Sequence, residues 1–312
     1  VAEQAVIDAN NLSKVYGDLV AVNRLNLQVQ EGEIFGFLGP NGAGKTTTIL
    51  MLLGLTEPTQ GTAKVCGYNC SREPIKVKRL TGYLPENVGF YGELTARQNM
   101  MYTARLNGIP EKQASIKISE LLGLVGLPEV ANKKVAEFSR GMKQRLGIAD
   151  VLVKDPKVVI LDEPTLGIDP DGSARILELI MDLSRQRGIT IMLSSHLLHQ
   201  VQRICNRVGI LVKGKMVALG TVDQLGKKLE AGKTTIEIEV APTTPQLMDS
   251  IKKIPGVINV EKSEHLITIT CEKDIRSDIV KTVAQTNSNL LQLRLQDYTL
   301  EEIYLRYFRE VR

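Results

Sequence analysis

One stretch constrains this chain more than any other: Gly39-Pro40-Asn41-Gly42-Ala43-Gly44-Lys45-Thr46-Thr47, which fits the pattern G-x-x-x-x-G-K-[ST]. Its glycines let backbone N–H groups turn inward and approach an anion where a Cβ would block them. Ahead of it, Glu33-Ile34-Phe35-Gly36-Phe37-Leu38 reads as a short buried strand. Behind it, Thr46-Thr47-Thr48-Ile49-Leu50-Met51-Leu52-Leu53 reads as a helix whose unpaired N-terminal amides and positive dipole end face the same anion. Strand, loop and helix in this order make a polyphosphate cradle. Lys45 supplies a point charge for the β- and γ-phosphates, and the Thr46 hydroxyl supplies a hard oxygen for Mg²⁺.

The chain has 312 residues, about two domains by the usual prior, and 43% of them are hydrophobic, ample for a buried core. Neither a charged-then-apolar leader nor an apolar run of about 18 residues stands out, so any membrane role is expected to come through a partner. The four cysteines, Cys66, Cys70, Cys205 and Cys271, lack paired metal spacing and read as reduced structural thiols of the cytoplasm. A net charge of +4, with Lys and Arg scattered rather than striped, gives no footprint for nucleic acid.

Residues 6–35 alternate apolar and polar and read as a small antiparallel sheet leading into the cradle. Within it Tyr16 stands just before the turn at Gly17, either packed in the core or with its ring free to stack on a purine. Strands are expected at 62–66 and 80–84, the second followed by Pro85-Glu86. From Thr95 the texture turns helical: Thr95-x-x-Gln98 is a capping box, and the helix is expected to stop around Gly108-Ile109-Pro110. A second helix, from Glu111 to about Leu122, carries Ile116, Ile118, Leu121 and Leu122 at spacings that suit one buried face. The insert at about 95–150 is therefore read as a helical subdomain.

A third helix opens at Phe138-Ser139-Arg140-Gly141-Met142-Lys143-Gln144-Arg145 and runs to about Val153. Ser139 sits where an N-cap belongs, either an ordinary cap or a helix start with small residues that receives an anion. Lys157-Val158-Val159-Ile160-Leu161-Asp162-Glu163-Pro164 fits a strand buried on both faces of a parallel sheet, with its acidic pair at the carboxyl end where ligands bind. Asp162 suits a ligand to Mg²⁺, and Glu163 suits the base that activates an attacking water. A turn at Leu166-Gly167-Ile168-Asp169-Pro170 leads into a helix from about Asp171 to Arg187. Another buried strand, 189–195, ends at His196, either a structural histidine or, from just past the carboxyl end of a central strand, one that contacts a γ-phosphate. His199 and His265 are read as surface residues. A hairpin of 208–212 and 216–219 across Lys213-Gly214-Lys215 closes the first domain near 225.

Taken together these motifs resemble the nucleotide-binding subunit of an ATP-binding-cassette (ABC) transporter over roughly residues 5–225. The resemblance implies a P-loop α/β core of mostly parallel sheet, with an antiparallel β subdomain and a helical subdomain. It implies that residues 39–47 are Walker A and 158–163 Walker B. It further implies that 138–142 is the signature motif, that Ile168-Asp169 belongs to the D-loop, that His196 is the switch histidine, and that Tyr16 stacks on adenine. On that basis Gly39, Pro40, Asn41, Gly42, Ala43, Gly44, Lys45, Thr46, Thr47, Tyr16, Ser139, Gly141 and Asp169 bind the nucleotide. Thr46, Asp162 and Glu86 serve Mg²⁺, and Glu163 and His196 are catalytic. The signature departs from the usual Leu-Ser-Gly-Gly-Gln, keeping Ser139 and Gly141, and Glu86 stands where a glutamine is usual. The text around Glu86 and Ser139 is similar to the branch serving bacterial and archaeal exporters of drugs, lipids and polysaccharides.

The family sandwiches each ATP between the phosphate loop of one subunit and the signature helix of another. With one copy of each part, this chain is expected to dimerise head to tail with itself or a homologous cassette. It would then drive a multi-span permease from the cytoplasmic face of the membrane. A regulatory ATPase module outside any transport cycle is the alternative. After a polar connection at Gly226–Lys233, strands and helices in the order βαββαβ (234–241, 244–253, 257–263, 266–272, 274–287, 290–297) give a split, ferredoxin-like α+β domain over 226–312. A closing helix at 299–310 opens with the capping box Thr299-x-x-Glu302 and aligns Leu300, Ile303, Tyr304, Tyr307, Phe308 and Val311 on one face.

Overall fold

A computed structural model describes residues 5–229, 234–263, 266–286, 288–295 and 299–310. The chain divides into two compact units that meet between Gly220 and Thr221, ahead of the expected break at 225.

In the first unit, β1 (Ala5–Tyr16) and β2 (Leu19–Gln30) pair antiparallel and are joined by β4 (Gln60–Val65) and β5 (Tyr68–Asn69) in the order β2-β1-β4-β5. The alternating residues Ile7, Ala9, Leu25, Leu27 and Val29 bury one face of this sheet against Phe35, Phe37 and Met51. The main sheet holds β3 (Ile34–Leu38), β6 (Thr81–Leu84), β7 (Val158–Asp162), β8 (Thr190–Ser195), β9 (Arg207–Val212) and β10 (Lys215–Gly220), in the order β10-β9-β3-β8-β7-β6. Every residue of β3, β7 and β8 is buried, the outcome for parallel strands covered on both faces. Only β10 runs antiparallel to its neighbour.

Helix α1 (Lys45–Leu52) follows β3, α2 (Pro74–Leu80) precedes β6, and α6 (Pro170–Arg187) and α7 (Leu198–Ile204) flank β8. Neither α2 nor α7 was signalled by periodicity; both are short, and neither has a side-chain N-cap. The helical segment comprises α3 (Ala96–Leu106), α4 (Glu111–Leu124) and α5 (Arg140–Leu152). Both halves of the Thr95–Gln98 capping box form. On α4 the buried face is Ala114, Ile118, Leu121 and Leu122, whereas Ile116 is 59% exposed. Two positions before Ile118 is the wrong offset for a shared helix face, so its assignment to the buried stripe is corrected.

The second unit opens with α8 (Val222–Leu229), where a polar connection was expected from 226. Thr221 and Gln224 cap it reciprocally, and Leu225 is buried. Then come β11 (Thr234–Ala241), α9 (Pro245–Lys252), β12 (Val257–Ser263), β13 (Leu266–Cys271), α10 (Arg276–Ala284) and β14 (Asn289–Leu295). The antiparallel order β12-β13-β11-β14 is that of a split βαββαβ sheet. Ile236, Ile238, Ile267 and Ile269 pack with Leu247 and Ile251 of α9 and with Ile279 and Val283 of α10. Helix α11 (Leu300–Glu310) begins at the Thr299–Glu302 box and buries Leu300 and Ile303. Val311 and His265 lie outside the described residues.

Candidate nucleotide site

The loop 39–47 leaves the carboxyl end of β3, the strand at the centre of the parallel sheet, and enters α1 at Gly44. Gly44 has φ +103°, and a Cβ built there would stand 2.4 Å from the Ala21 carbonyl oxygen of β2, so neither the angle nor the space admits a side chain. Lys45 is 7% exposed and donates to the carbonyls of Gly39 at 2.5 Å and Pro40 at 3.3 Å. Burial pulls its pKa down, against the raising pull of the Glu163, Asp162 and Glu86 carboxylates.

A cleft of about 560 Å³ is lined by Pro40, Asn41, Gly42, Ala43, Gly44, Lys45, Thr46 and Thr47 and, on the other side, by Tyr16, Leu19, Val20 and Ala21. Tyr16 is thus 46% exposed at the cleft rather than packed in the core, with the Lys14 ammonium 4.9 Å from its ring centroid. The cleft has a flat aromatic wall at one end and a cationic, amide-rich floor at the other, which fits a nucleoside triphosphate.

The acidic pair is brought to this floor by strand pairing. Asp162, the last residue of β7, sits opposite Ser194 of β8 and lies 3.4 Å from the Thr46 hydroxyl, which donates to it. Burial raises the Asp162 pKa, and the Lys45 ammonium draws it back down. Thr46 and Asp162 are two hard oxygen ligands at one point, which suits Mg²⁺. No group of three His, Cys, Asp or Glu side chains suited to a metal occurs among the described residues. Glu163 takes φ +49°, a left-handed conformation uncommon for a non-glycine residue, with its N–H on the Ser194 carbonyl at 2.9 Å. That turn aims its carboxylate at the end of β8, where Oε1 lies 2.9 Å from His196 Nδ1 and Oε2 accepts from the Ser195 hydroxyl at 3.3 Å. Glu163 is buried and His196 exposed. Glu86, two residues past β6, is exposed, and its charge reaches both Lys45 and Asp162.

Ser139, Gly141 and Asp169 are not among the residues lining the cleft. Ser139 caps α5, accepting from the Met142 N–H at 3.2 Å, and the first turn of that helix holds no acidic residue. Asp169 caps α6, accepting from Gly172 at 3.0 Å. Ile168 packs on the bare Cα of Gly141, so the two exposed caps belong to one surface.

Sequence reasoning missed Ser195, Lys213 and Gln200. Ser195 was read only as the end of a strand. Lys213 lines the cleft because the hairpin turn that carries it bonds the phosphate loop, with the Gly214 N–H on the Ala43 carbonyl at 2.9 Å. Gln200 meets the Thr165 hydroxyl at 2.5 Å, bracing the turn beyond Glu163. The sequence marked Lys213-Gly214-Lys215 as a hairpin turn, and Lys213 and Gly214 both take positive φ there, but nothing local tied that turn to the phosphate loop.

The profile of the ABC transporter family matches residues 22–166. The linearmycin resistance ATP-binding protein of Bacillus subtilis is 36% identical over 305 residues, covering 96% of this chain and 97% of that protein. The bacitracin transport ATP-binding protein of Bacillus licheniformis is 45% identical over 223 residues, 72% of each chain. A solved ATP-binding subunit of an ABC transporter superposes with a TM-score of 0.66 at 32% identity, covering 72% of this chain and 93% of that one. With a relative aligned along nearly its whole length, the chain belongs to the ATP-binding subunits of ABC transporters, ATPases that couple ATP hydrolysis to transport.

Proposed function

We propose that this chain is one half of a two-cassette motor that closes around two Mg-ATP and drives a transmembrane permease toward export from the cytoplasmic face of the membrane. The observation that carries the reading is that Ser139 and Gly141 stand at an exposed helix start and do not line the cleft of their own chain. A helix start with small residues that turns away from its own chain's cleft is suited to a phosphate held by a second subunit arranged head to tail. Export rests on the linearmycin resistance and bacitracin transport relatives.

In this reading Tyr16 stacks on the base and the loop amides hold the phosphates. Lys45 exchanges the Gly39 and Pro40 carbonyls for phosphate oxygens. Thr46 and Asp162, with Glu86 beside them, hold Mg²⁺, which when bound neutralises charge on the phosphates. Glu163 accepts the proton of the attacking water. His196 and Ser195 hold its two carboxylate oxygens, so that the base cannot swing away from the cleft. Asp169 and the neighbouring Ile168 stand at the face where the partner arrives.

Glu163→Gln removes the proton acceptor while keeping size and hydrogen bonding. Hydrolysis should fall about 10²- to 10⁴-fold, with nucleotide binding retained and a dimer accumulating in Mg-ATP by size-exclusion chromatography with light scattering. Undiminished turnover, or a variant that stays monomeric with Mg-ATP and permease present, would overturn the reading.

A further inference from the structure

The turn between β9 and β10 departs from the preference of its own geometry. Val212 and Lys215 pair across it, so it holds two residues, Lys213 and Gly214, at φ +47° and +77°. A two-residue hairpin turn with both angles positive favours Asn, Asp or Gly at each position, because a larger side chain crowds its own backbone there. Gly214 obeys this rule, and a Cβ on it would stand 2.8 Å from the Ala21 carbonyl oxygen. Lys213 does not. A long side chain held at positive φ is a local cost with no benefit inside the turn, and such costs are kept where the residue serves a site.

A site lies next to it. Lys213 is exposed and lines the cleft of about 560 Å³ between the phosphate loop and the wall that carries Tyr16. Its ammonium makes no hydrogen bond or ion pair among the described residues, and no carboxylate is among the residues lining the cleft. The other lining cation, Lys45, is buried against the Gly39 and Pro40 carbonyls. The turn is also fixed in place. Gly214 donates to the Ala43 carbonyl of the phosphate loop at 2.9 Å and accepts from the N–H of Asn23, two residues past Ala21 on the opposite wall, at 2.8 Å. Lys213 therefore springs from a point bonded to both walls. A nucleotide laid with its base on Tyr16 and its terminal phosphates at Lys45 presents ribose and α-phosphate to that point, and of these only the phosphate is an anion.

We propose that Lys213 is a nucleotide-binding residue whose ammonium pairs with the α-phosphate, beside the loop amides and Lys45. The inference rests on the cleft being the ATP site. Hydrolysis leaves the α-phosphate untouched, so Lys213 holds ATP and ADP alike. It strengthens capture of the nucleotide and slows loss of the product without discriminating between them.

Lys213→Asn separates the turn from the charge, because asparagine suits positive φ and is neutral. Melted without nucleotide, this variant should gain about 1 to 3 °C over wild type. Competition of ADP and of β,γ-imido-ATP against a fluorescent ATP analogue, with Mg²⁺, should show both weakened about three- to tenfold by the same factor, with the loss shrinking at about 1 M salt. The same factor should hold for 2′,3′-dideoxy-ADP. Lys213→Gln should lose as much affinity with an unchanged melting temperature, and Lys213→Arg should restore it. Wild-type affinity for ADP in Lys213→Asn would overturn the proposal, as would a fall in its melting temperature, which would make the lysine a structural residue. A loss confined to the triphosphate would move the ammonium to the γ-phosphate, and one abolished with dideoxy-ADP would move it to the ribose; either refutes the assignment. Wild-type protein that binds neither ADP nor the triphosphate would overturn the cleft as the ATP site, and the proposal with it.

Discussion

Alanine at Gly42 and alanine at Gly44 should damage the protein in different ways, although both residues are glycines of one loop with positive φ, +77° and +103°. At Gly42 a Cβ meets nothing within 4 Å, so the cost to the fold is the left-handed backbone alone, about 1 to 2 kcal/mol. At Gly44 a Cβ stands 2.4 Å from the Ala21 carbonyl and 3.3 Å from Val22 Cγ2, and backbone cannot yield as a flexible side chain does. Strain and overpacking, each about 1 to 3 kcal/mol, sum to roughly 2 to 6 kcal/mol. For a unit the size of residues 1–220, each kcal/mol moves the melting temperature by about 2 to 4 °C. Nucleotide-free Gly42→Ala should therefore melt about 5 °C low and Gly44→Ala about 10 °C low or more.

Binding should separate them in the opposite sense. The open space at Gly42 belongs to the cleft, so its methyl occupies room meant for phosphate and costs at least about tenfold in ATP affinity at a temperature where the variant is fully folded. Differential scanning fluorimetry without nucleotide, and titration with a fluorescent ATP analogue, measure the two quantities independently. Equal melting temperatures for the two variants, or wild-type affinity in Gly42→Ala, would refute the division of labour between cradle and clamp.

Burial pushes the Asp150 carboxyl on α5 up to about 6, and its Oδ1 has no partner while Oδ2 accepts from Thr103 at 3.1 Å. The folded state therefore holds a proton that the unfolded state releases near 3.8, so stability falls as pH climbs from about 4 through about 6, by about 2 to 3 kcal/mol. Asp150→Asn should flatten that slope in denaturant titrations at pH 4.5, 6 and 7.5, and a slope unchanged by the substitution would rule Asp150 out as its source. Ser195→Ala removes the hydroxyl on Glu163 Oε2, and the base should wander. Phosphate release should slow about three- to tenfold with ATP affinity held within about twofold, and an equal loss of affinity would make Ser195 a binding residue instead.

What the sequence made legible was local. The Thr95–Gln98 box, the Ser139 cap and the run of buried residues in β7 each depend on neighbours within a few positions, and each formed as expected. The embrace of Glu163 by Ser195 and His196 is not of that kind. It depends on β7 and β8 lying side by side with Asp162 opposite Ser194, a register between segments joined only by a long crossover. Lys213 was invisible for the same reason, because its turn is drawn to the phosphate loop by a backbone bond between distant residues. The second half of helix α8 reads as a connection because the stretch from Gly226 is polar, yet the helix forms around the buried Leu225, whose burial outweighs the propensity cost of one glycine.

The Ala21 carbonyl is wedged between Gly44 and Gly214, and Gly214 in turn bonds Asn23 and Ala43 through its own backbone. The hairpin bearing Tyr16 and the loop bearing Lys45 are thus riveted to one another by main chain, with no side chain in the joint. What that joint fixes is the spacing of the two backbones from which the Tyr16 ring and the Lys45 ammonium reach, so that drift in the surrounding side chains does not move the two arms apart. Nucleotides should accordingly be sorted by how far their terminal phosphate lies from their base, with the identity of the purine read far more loosely than the length of its tail.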